Sequence, residues 1–306
     1  SWFLKNIFSL SHRSKSLNRK FKNNVSIKYY GSNGAISEID NSTTIFLEKV
    51  TTKSHFFGAS NALSFKFLKR SVLKTSYEYA ARIPDPNEIL GNGIFSFPTS
   101  NLFPEKSHNL NLGYSYSYRK IILESNLFYR KTKDLIFLSY TDFRYPKYEN
   151  KSNVLTKGIE LSVEYKSFKP LRFLGNITWQ DLRYKPENQE KDYYLYNDRL
   201  PNTPYLFGNI FTEFIFKNIL FKSDKLALNY NVNYTHSYFQ LWESQGVASS
   251  KNIIPKQCLS KFQVTYSYQK VNFGLGVHNL MNSYVYDNYK NQLPGRSLHL
   301  KTSISL

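Results

Sequence analysis

Six histidines, 22 carboxylates and one cysteine are the groups through which this chain could do acid–base, metal or thiol chemistry. The histidines stand at His12, His55, His108, His236, His278 and His299. No two of them have the HExxH spacing that puts a pair of imidazoles on one helical face around zinc. Glu160 and Glu164 share one face of an extended strand. Four strand residues set them about 13 Å apart, too far to act together on a glycosidic bond. Cys258 has no second cysteine to pair with and cannot found a thiolate cluster, so it reads as an inert small side chain. A GxSxG elbow, a P-loop and a dinucleotide fingerprint are all missing. The expectation is therefore no catalytic site, no resident metal and no cofactor. What remains is binding. Tyr193, Tyr194, Tyr196, Trp242 and Tyr286 lie in polar connections and would give a large ligand contact area at little entropy cost. His278 and His299 fall near the end of the chain, on neighbouring strands. There they would line an internal path or meet a metal chelate, with lumen filling as the plainer role.

The elements that must position these groups are strands. Period-two alternation runs through stretches of about ten residues, the length a tilted strand needs to cross a bilayer. Across 108–118 one face carries Leu110, Leu112, Tyr114, Tyr116 and Tyr118, and the other Asn109, Asn111, Gly113, Ser115 and Ser117. Residues 225–235 repeat the pattern, with Leu226, Leu228, Tyr230, Val232 and Tyr234 against Asn229, Asn231 and Asn233. So do 158–165, 171–179, 261–268, 271–278 and 297–306. The second face is too polar to pack against another sheet, which argues against a β-sandwich. Connections alternate in length. Tight turns are expected near 69–70, 119–120, 167–170, 218–223 and 269–270, and long connections over 82–106, 141–152, 184–203, 239–256 and 280–295. Outer-membrane barrels alternate in this way, with short periplasmic turns and long external loops. Parity then requires 120–140 to be one long strand despite Lys131-Thr132-Lys133. Counting back gives about fourteen strands, all antiparallel.

Composition agrees. Aromatics make up 17% of the chain, with 25 Tyr and 24 Phe, yet mean hydropathy is −0.48. A membrane barrel reconciles the two, because lipid-facing residues alternate with wet ones. No window nears the run of about 18 apolar residues that a transmembrane helix needs, so any crossing must be made by a barrel. The tyrosines near strand ends would form interfacial girdles. The net charge of +19 is spread along the chain, with no basic helix or finger for nucleic acid. Pairs such as Lys69-Arg70 and Arg119-Lys120 sit in expected turns, solvated or against anionic headgroups.

Several local sequences resemble one family. Residues 79–91 contain Arg82, Pro84 and Glu88 ahead of a long connection, and Pro104-Glu105 re-enters the sheet. Lys157-Gly158-Ile159-Glu160-Leu161 follows the next connection, and Leu200-Pro201-Asn202-Thr203-Pro204 opens a later strand. Val277-His278-Asn279-Leu280 and then Leu293-Pro294-Gly295-Arg296 lead into the last. In order and spacing over 77–306, this set resembles the C-terminal barrel of TonB-dependent outer-membrane receptors. The motifs also make structural sense: the prolines sit at strand margins where a missing N–H is harmless, and Gly158 suits a close approach or bend. Pro294-Gly295 suits a turn, and Arg82, Glu88, Glu105 and Arg296 are placed for ion pairs at loop bases.

The resemblance implies a Gram-negative outer membrane, contact with its lipid and lipopolysaccharide, and energy-coupled uptake of a scarce ligand such as a ferric siderophore, cobalamin or oligosaccharide. It also implies a TonB-type energy-transducing partner, engaged through an N-terminal part. The family's plug and roughly the first third of its about 22 strands have no counterpart in 1–306, so this chain is expected to be a partial barrel that begins mid-protein. Ser303-Ile304-Ser305-Leu306 departs from the Phe or Trp that often ends such barrels. Two other functions fit a barrel: a passive pore, and an adhesin or secretion channel.

Overall fold

Alternation of apolar and polar side chains in the computed structural model runs nearly the whole length of the chain, and it builds one antiparallel sheet. The structure describes residues 2–16, 18, 20–40, 46–90, 99, 101–139, 147–166, 170–187, 190, 192–245 and 252–305. In chain order the strands are β1 (Trp2–Ser16), β2 (Phe21–Asp40), β3 (Phe46–Leu68), β4 (Ser71–Arg82), β5 (Glu105–Tyr118), β6 (Ile121–Ser139), β7 (Lys147–Lys166), β8 (Leu171–Tyr184), β9 (Leu206–Lys217) and β10 (Lys225–Thr235). After the short β11 (Tyr238–Phe239) and β12 (Ile253–Ile254) come β13 (Gln257–Tyr268), β14 (Val271–His278) and β15 (Ser297–Ile304). Thirteen strands form the sheet in sequence order, while β11 and β12 make a separate two-stranded ladder in the connection between β10 and β13. The count is one below the expected fourteen. Among the described residues β1 and β15 are the two edges, and the sheet is not closed. Among the described residues the one α-helix is a single turn, α1 (Pro86–Leu90).

Direct cross-strand partners share a face. Leu110 pairs with Tyr77 and Tyr129, and Leu127 with Leu112 and Ile159. Ile159 then pairs with Trp179, which extends the same face onto β8. This face carries large apolar side chains in the open: Leu112 is 46% exposed, Ile177 46% and Phe273 53%. Leaving each such side chain in water costs about 1.5–3 kcal/mol relative to burial, so a face carrying this many belongs against hydrocarbon. The opposite face is polar and bonded to itself around the wall. Lys28 donates to Glu78 (2.8 Å), Asn111 to Ser76 (3.2 Å) and Asn126 to Glu160 (3.2 Å). Asn209 donates to Asn176 (3.0 Å), and Asn233 donates in turn to Asn209.

Short and long connections alternate, as the sequence requires. Lys69-Arg70, Arg119-Lys120 and Gln269-Lys270 close two-residue hairpins, and Arg119 and Gln269 take up the positive φ (both 50°) that such turns need. The β9–β10 turn is longer and closes on a buried carboxylate. Asp224 accepts the amides of Ile219 (2.7 Å), Leu220 (2.8 Å) and Phe221 (2.9 Å), and the Tyr266 hydroxyl (2.9 Å). Burial opposes its ionisation, but these donors outweigh burial and hold the carboxyl down at about 2. The expected turn over 167–169 and the terminal Leu306 lie outside the described residues.

One boundary differs clearly. Residues 147–152, read from sequence as connection, are strand, because β7 keeps pairing with β6 as far as Ser139↔Lys147. The β7 half of that ladder, residues 147–152, is polar on both faces apart from Tyr148, so its alternation fades. Asn150 ties it to the returning chain. Its side chain donates to the carbonyls of Asp134 (2.7 Å) and Phe103 (3.0 Å) and accepts the Phe103 amide (2.8 Å).

Two motif positions carry local structure. A Cβ on Gly158 would run into the Phe128 ring and the Trp179 carbonyl, whereas at Gly113 the nearest atoms are 3.6 Å away. Arg82 grips both Glu88 oxygens (2.9 Å each) and Glu105 (2.7 Å). The two carboxylates in turn accept the amides of Asp85 (2.8 Å) and Ile136 (2.9 Å). One guanidinium thus ties α1 to β5 and, through Glu105, to β6.

Gly158→Ala is expected to destabilise the full-length protein by about 1–3 kcal/mol, and Gly113→Ala to be neutral or slightly stabilising. Urea unfolding in detergent, followed by tryptophan fluorescence, separates the two. Arg82→Ala should weaken the loop base by about 2 kcal/mol, seen as roughly thirty-fold faster hydrogen exchange at the Asp85 and Ile136 amides. Arg82→Lys, which lacks the planar fork, should recover only part of the protection.

Candidate functional site at the loop end of the sheet

The dry packing of the described chain gathers at the end where the long connections emerge. Ile89, Leu102 and Ile136 form one cluster with Phe3, Leu90 and Tyr148. Tyr30, Ala81 and Ile83 form a second. A third consists of Val154, Tyr184, Leu195 and Leu200, with Leu135, Phe137, Leu182 and Trp242 against it. These clusters seat the loops on the strand ends.

Around the third cluster three connections are tied together. Arg183 donates to Asp181 (2.8 Å), to Glu243 (2.8 Å) and to the Asn197 carbonyl (3.0 Å). Arg199 approaches the same Asp181 oxygen at 3.3 Å. Asp198, itself buried, accepts the amide and hydroxyl of Ser244 (2.9 and 2.5 Å). The connections 185–205 and 236–256 are therefore joined by charged hydrogen bonds. Asn202 brings in the third, since its side-chain amide donates to the Asn288 carbonyl (3.1 Å). On the opposite wall Lys151 bridges Glu149 and Asp192 (2.9 Å each), and the Tyr184 hydroxyl donates to Asp192 (2.8 Å). Burial works against the Asp192 charge, but Lys151 and Tyr184 outweigh it and hold the carboxyl below its ordinary range.

Between these walls lies a cavity of about 650 Å³. Phe137, Tyr194, Leu195, Trp242 and Tyr289 supply its apolar surface, and Lys151, Asp192, Asn202, Gln240, Gln245 and Asn288 its polar groups. Trp242 is fixed, with its ring 5.3 Å from Tyr184 and 5.9 Å from Phe137. Tyr194 is free, 68% exposed. Apolar walls with a few placed polar groups are the general form of a small-molecule site. Among the described residues no group of three or more His, Cys, Asp or Glu could hold a metal ion.

The residues singled out from sequence are distributed unevenly. Tyr194 and Trp242 meet in the cavity wall. Tyr193 and Tyr196 flank Tyr194 on a 3-10 turn, their rings 5.6 Å apart, and Lys185 stands 4.4 Å over the Tyr196 ring. Tyr286 is outside the lining; its amide donates to the Gln257 side chain (2.9 Å), while its neighbours Asn288 and Tyr289 reach the cavity. His278 and His299 are elsewhere, on β14 and β15 of the lumen face, with rings 4.3 Å apart.

The remaining motif residues support the frame. Pro84 and Pro201 are buried at strand margins, and the Pro204 carbonyl accepts from Gln180 (2.9 Å). Asn279, buried and at φ 49°, closes a turn by accepting the Ser283 amide (2.9 Å) and donating to its carbonyl (2.8 Å). Pro294 and Gly295 are exposed before β15. Arg296 makes no ion pair among the described residues, contrary to the sequence expectation. Its amide alone is used, donating to Asn282 (3.0 Å), because no carboxylate stands within reach. Sequence reasoning missed Lys151, Asp192, Gln240 and Asn202. They are dispersed polar residues that only the fold brings together, and alternation carries no signal for them.

The family description "TonB dependent receptor-like, beta-barrel" matches residues 22–280. No curated protein sequence matches the chain. Among solved structures, the copper transporter OprC superposes with a TM-score of 0.77 at 13% identity, over 99% of this chain and 48% of that one. The FrpB iron transporter of Neisseria meningitidis (F3-3 variant) gives 0.71 at 14% identity, over 98% and 45%. BauA, the ferric preacinetobactin receptor of Acinetobacter baumannii, gives 0.70 at 15%, over 99% and 43%. The chain thus spans about half the length of the structures it resembles, and at these identities the likeness is one of fold. The chain belongs to the TonB-dependent receptor β-barrel family, a family of Gram-negative outer-membrane proteins.

Proposed function

We propose that the protein is an outer-membrane receptor that takes up a scarce ligand by energy-coupled transport, and that this chain supplies part of the barrel wall and the loops that capture the ligand. The observation that carries this is the aromatic-lined cavity held by three tied connections above a polar wall. A passive pore has no use for a fixed tryptophan and an exposed tyrosine lining one cleft among the loops. The ligands that the family resemblance suggests are a ferric siderophore, cobalamin or an oligosaccharide. The structures resembled include receptors named for iron, copper and ferric chelates, which favours a metal chelate. Tyr193, Tyr194, Tyr196 and Trp242 form the capture surface, with Tyr286 bracing the third connection, and His278 and His299 line the wall further along. The energy comes from a TonB-type partner engaged through a part of the protein outside this chain, and the surroundings are outer-membrane lipid and lipopolysaccharide.

The test is accumulation of radio-iron-loaded catecholate and hydroxamate siderophores, and of radiolabelled cobalamin, in cells that do or do not express the full-length protein. One of these probes should accumulate, and an uncoupler should abolish its accumulation. Tyr194→Ala should weaken binding of that probe about tenfold, or about 1.4 kcal/mol, without lowering stability. Steady conductance in planar bilayers with no energy source, together with uptake indifferent to the uncoupler, would replace this function with a passive pore.

A further inference from the structure

Part of the positive charge of this chain, +19 in all, gathers at one end of the sheet. Exposed cations stand in or beside the short connections at the end opposite the cavity: Lys20, Arg70, Arg119, Lys222 and Lys270 in described connecting residues, and Lys166 at the end of β7. Among their described residues the turns hold one carboxylate, Asp224, which is buried and engaged by three amides and a hydroxyl. Lys166 reaches Glu164 on its own strand (2.8 Å). Among the described residues the other five have no carboxylate within 4 Å. At the loop end three guanidiniums, those of Arg82, Arg183 and Arg199, are each held by carboxylates, and Arg296 is not.

A second observation fixes where this collar lies. Arg70 stacks on the Tyr118 ring at 3.6 Å, and Arg119 stands 5.1 Å from the same centroid. Tyr118 belongs to the apolar face, the face of Leu110, Leu112 and Tyr114, and pairs with exposed Ile121. Phe273 and Leu73, also exposed on that face, lie within three residues of Lys270 and Arg70. Arg70 and Arg119 therefore border the apolar band at headgroup depth, whereas Lys20 lies beside Lys22, Ser64 and Lys74 of the polar face and Lys166 beside Glu164. Cations at the edge of the apolar band have the charge and reach to hold phosphodiester anions.

The geometry points to a binding collar for anionic phospholipid headgroups, of the phosphatidylglycerol type, in the periplasmic leaflet. The inference rests on the membrane-barrel assignment and deepens it by naming the leaflet and the lipid class. The collar orients the barrel in an asymmetric membrane and retains anionic lipid around its base.

Native mass spectrometry of the full-length protein, released from detergent with dioleoylphosphatidylglycerol or dioleoylphosphatidylcholine, reads this directly. The wild type should hold phosphatidylglycerol in preference, and raised ionic strength should erase the preference. Arg70→Gln, Arg119→Gln and Lys270→Gln should each weaken phosphatidylglycerol binding by about fivefold, and more in combination. Lys106→Gln with Lys131→Gln and Lys133→Gln, which are exposed at the other end of the wall, should leave it unchanged. Equal binding of the two lipids, or loss of preference only in the loop-end variant, would overturn the proposal. Heat-modifiable migration in gels is the separate check on the barrel. If the wild type lacks it, the barrel assignment fails; if it is intact while the two lipids bind alike, the collar alone fails. Should the combined variant lose the heat-modifiable form, the three single variants carry the test.

Discussion

In hydrocarbon an amide or carbonyl without a partner costs several kcal/mol, and nothing in the solvent can replace the partner. Everything else in this structure follows from meeting that requirement with strands. Thirteen of them pair antiparallel in chain order, so each ladder is made by a neighbour in sequence. The pleat then sends alternate residues to opposite sides. One side receives Leu, Ile, Phe and Trp, and the other Asn, Ser, Glu and Lys, which bond to one another around the wall. An odd-residue slip in any ladder would exchange these sides.

The same constraint sorts the connections. At one end the chain turns back within a few residues, and left-handed positions at Arg119 and Gln269 make the reversal. At the other the strands run on, above all in β6 and β7, and their ends carry clusters that dock the long loops. Charge follows length. Three loop-end guanidiniums are matched to Glu88, Glu105, Asp181 and Glu243, giving loops that are fastened at their bases and present side chains at their tips. At the turn end Arg70 and Arg119 lie instead against the Tyr118 ring on the apolar face.

Much of this was legible in the sequence because a two-sided wall writes itself in period two. The strand at 108–118 and the long run through Lys131-Thr132-Lys133 could be placed before any coordinates, the second from parity alone. Legibility ended where the environment stopped being two-sided. Residues 147–152 are strand, yet apart from Tyr148 they are polar on both faces, so they read as loop. The cavity was half legible. Trp242 and Tyr194 stand out as large aromatics in polar stretches, whereas Lys151 and Asp192 lie 41 positions apart and become partners only when β7 rises beside the 3-10 turn. Arg296 shows the opposite error, a charged motif residue expected to pair that uses only its backbone.

The most direct measurement of the central claim is spin-label accessibility along β5 of the full-length protein in native outer membranes, with labels placed one at a time from residue 109 to residue 116 in a Cys258→Ser background. The account predicts a period-two oscillation. Collision with oxygen, which concentrates in hydrocarbon, should peak at residues 110, 112 and 114 and fall at 109, 111 and 115. A flat profile, or maxima on the asparagine side, would contradict the assignment of the apolar face to lipid.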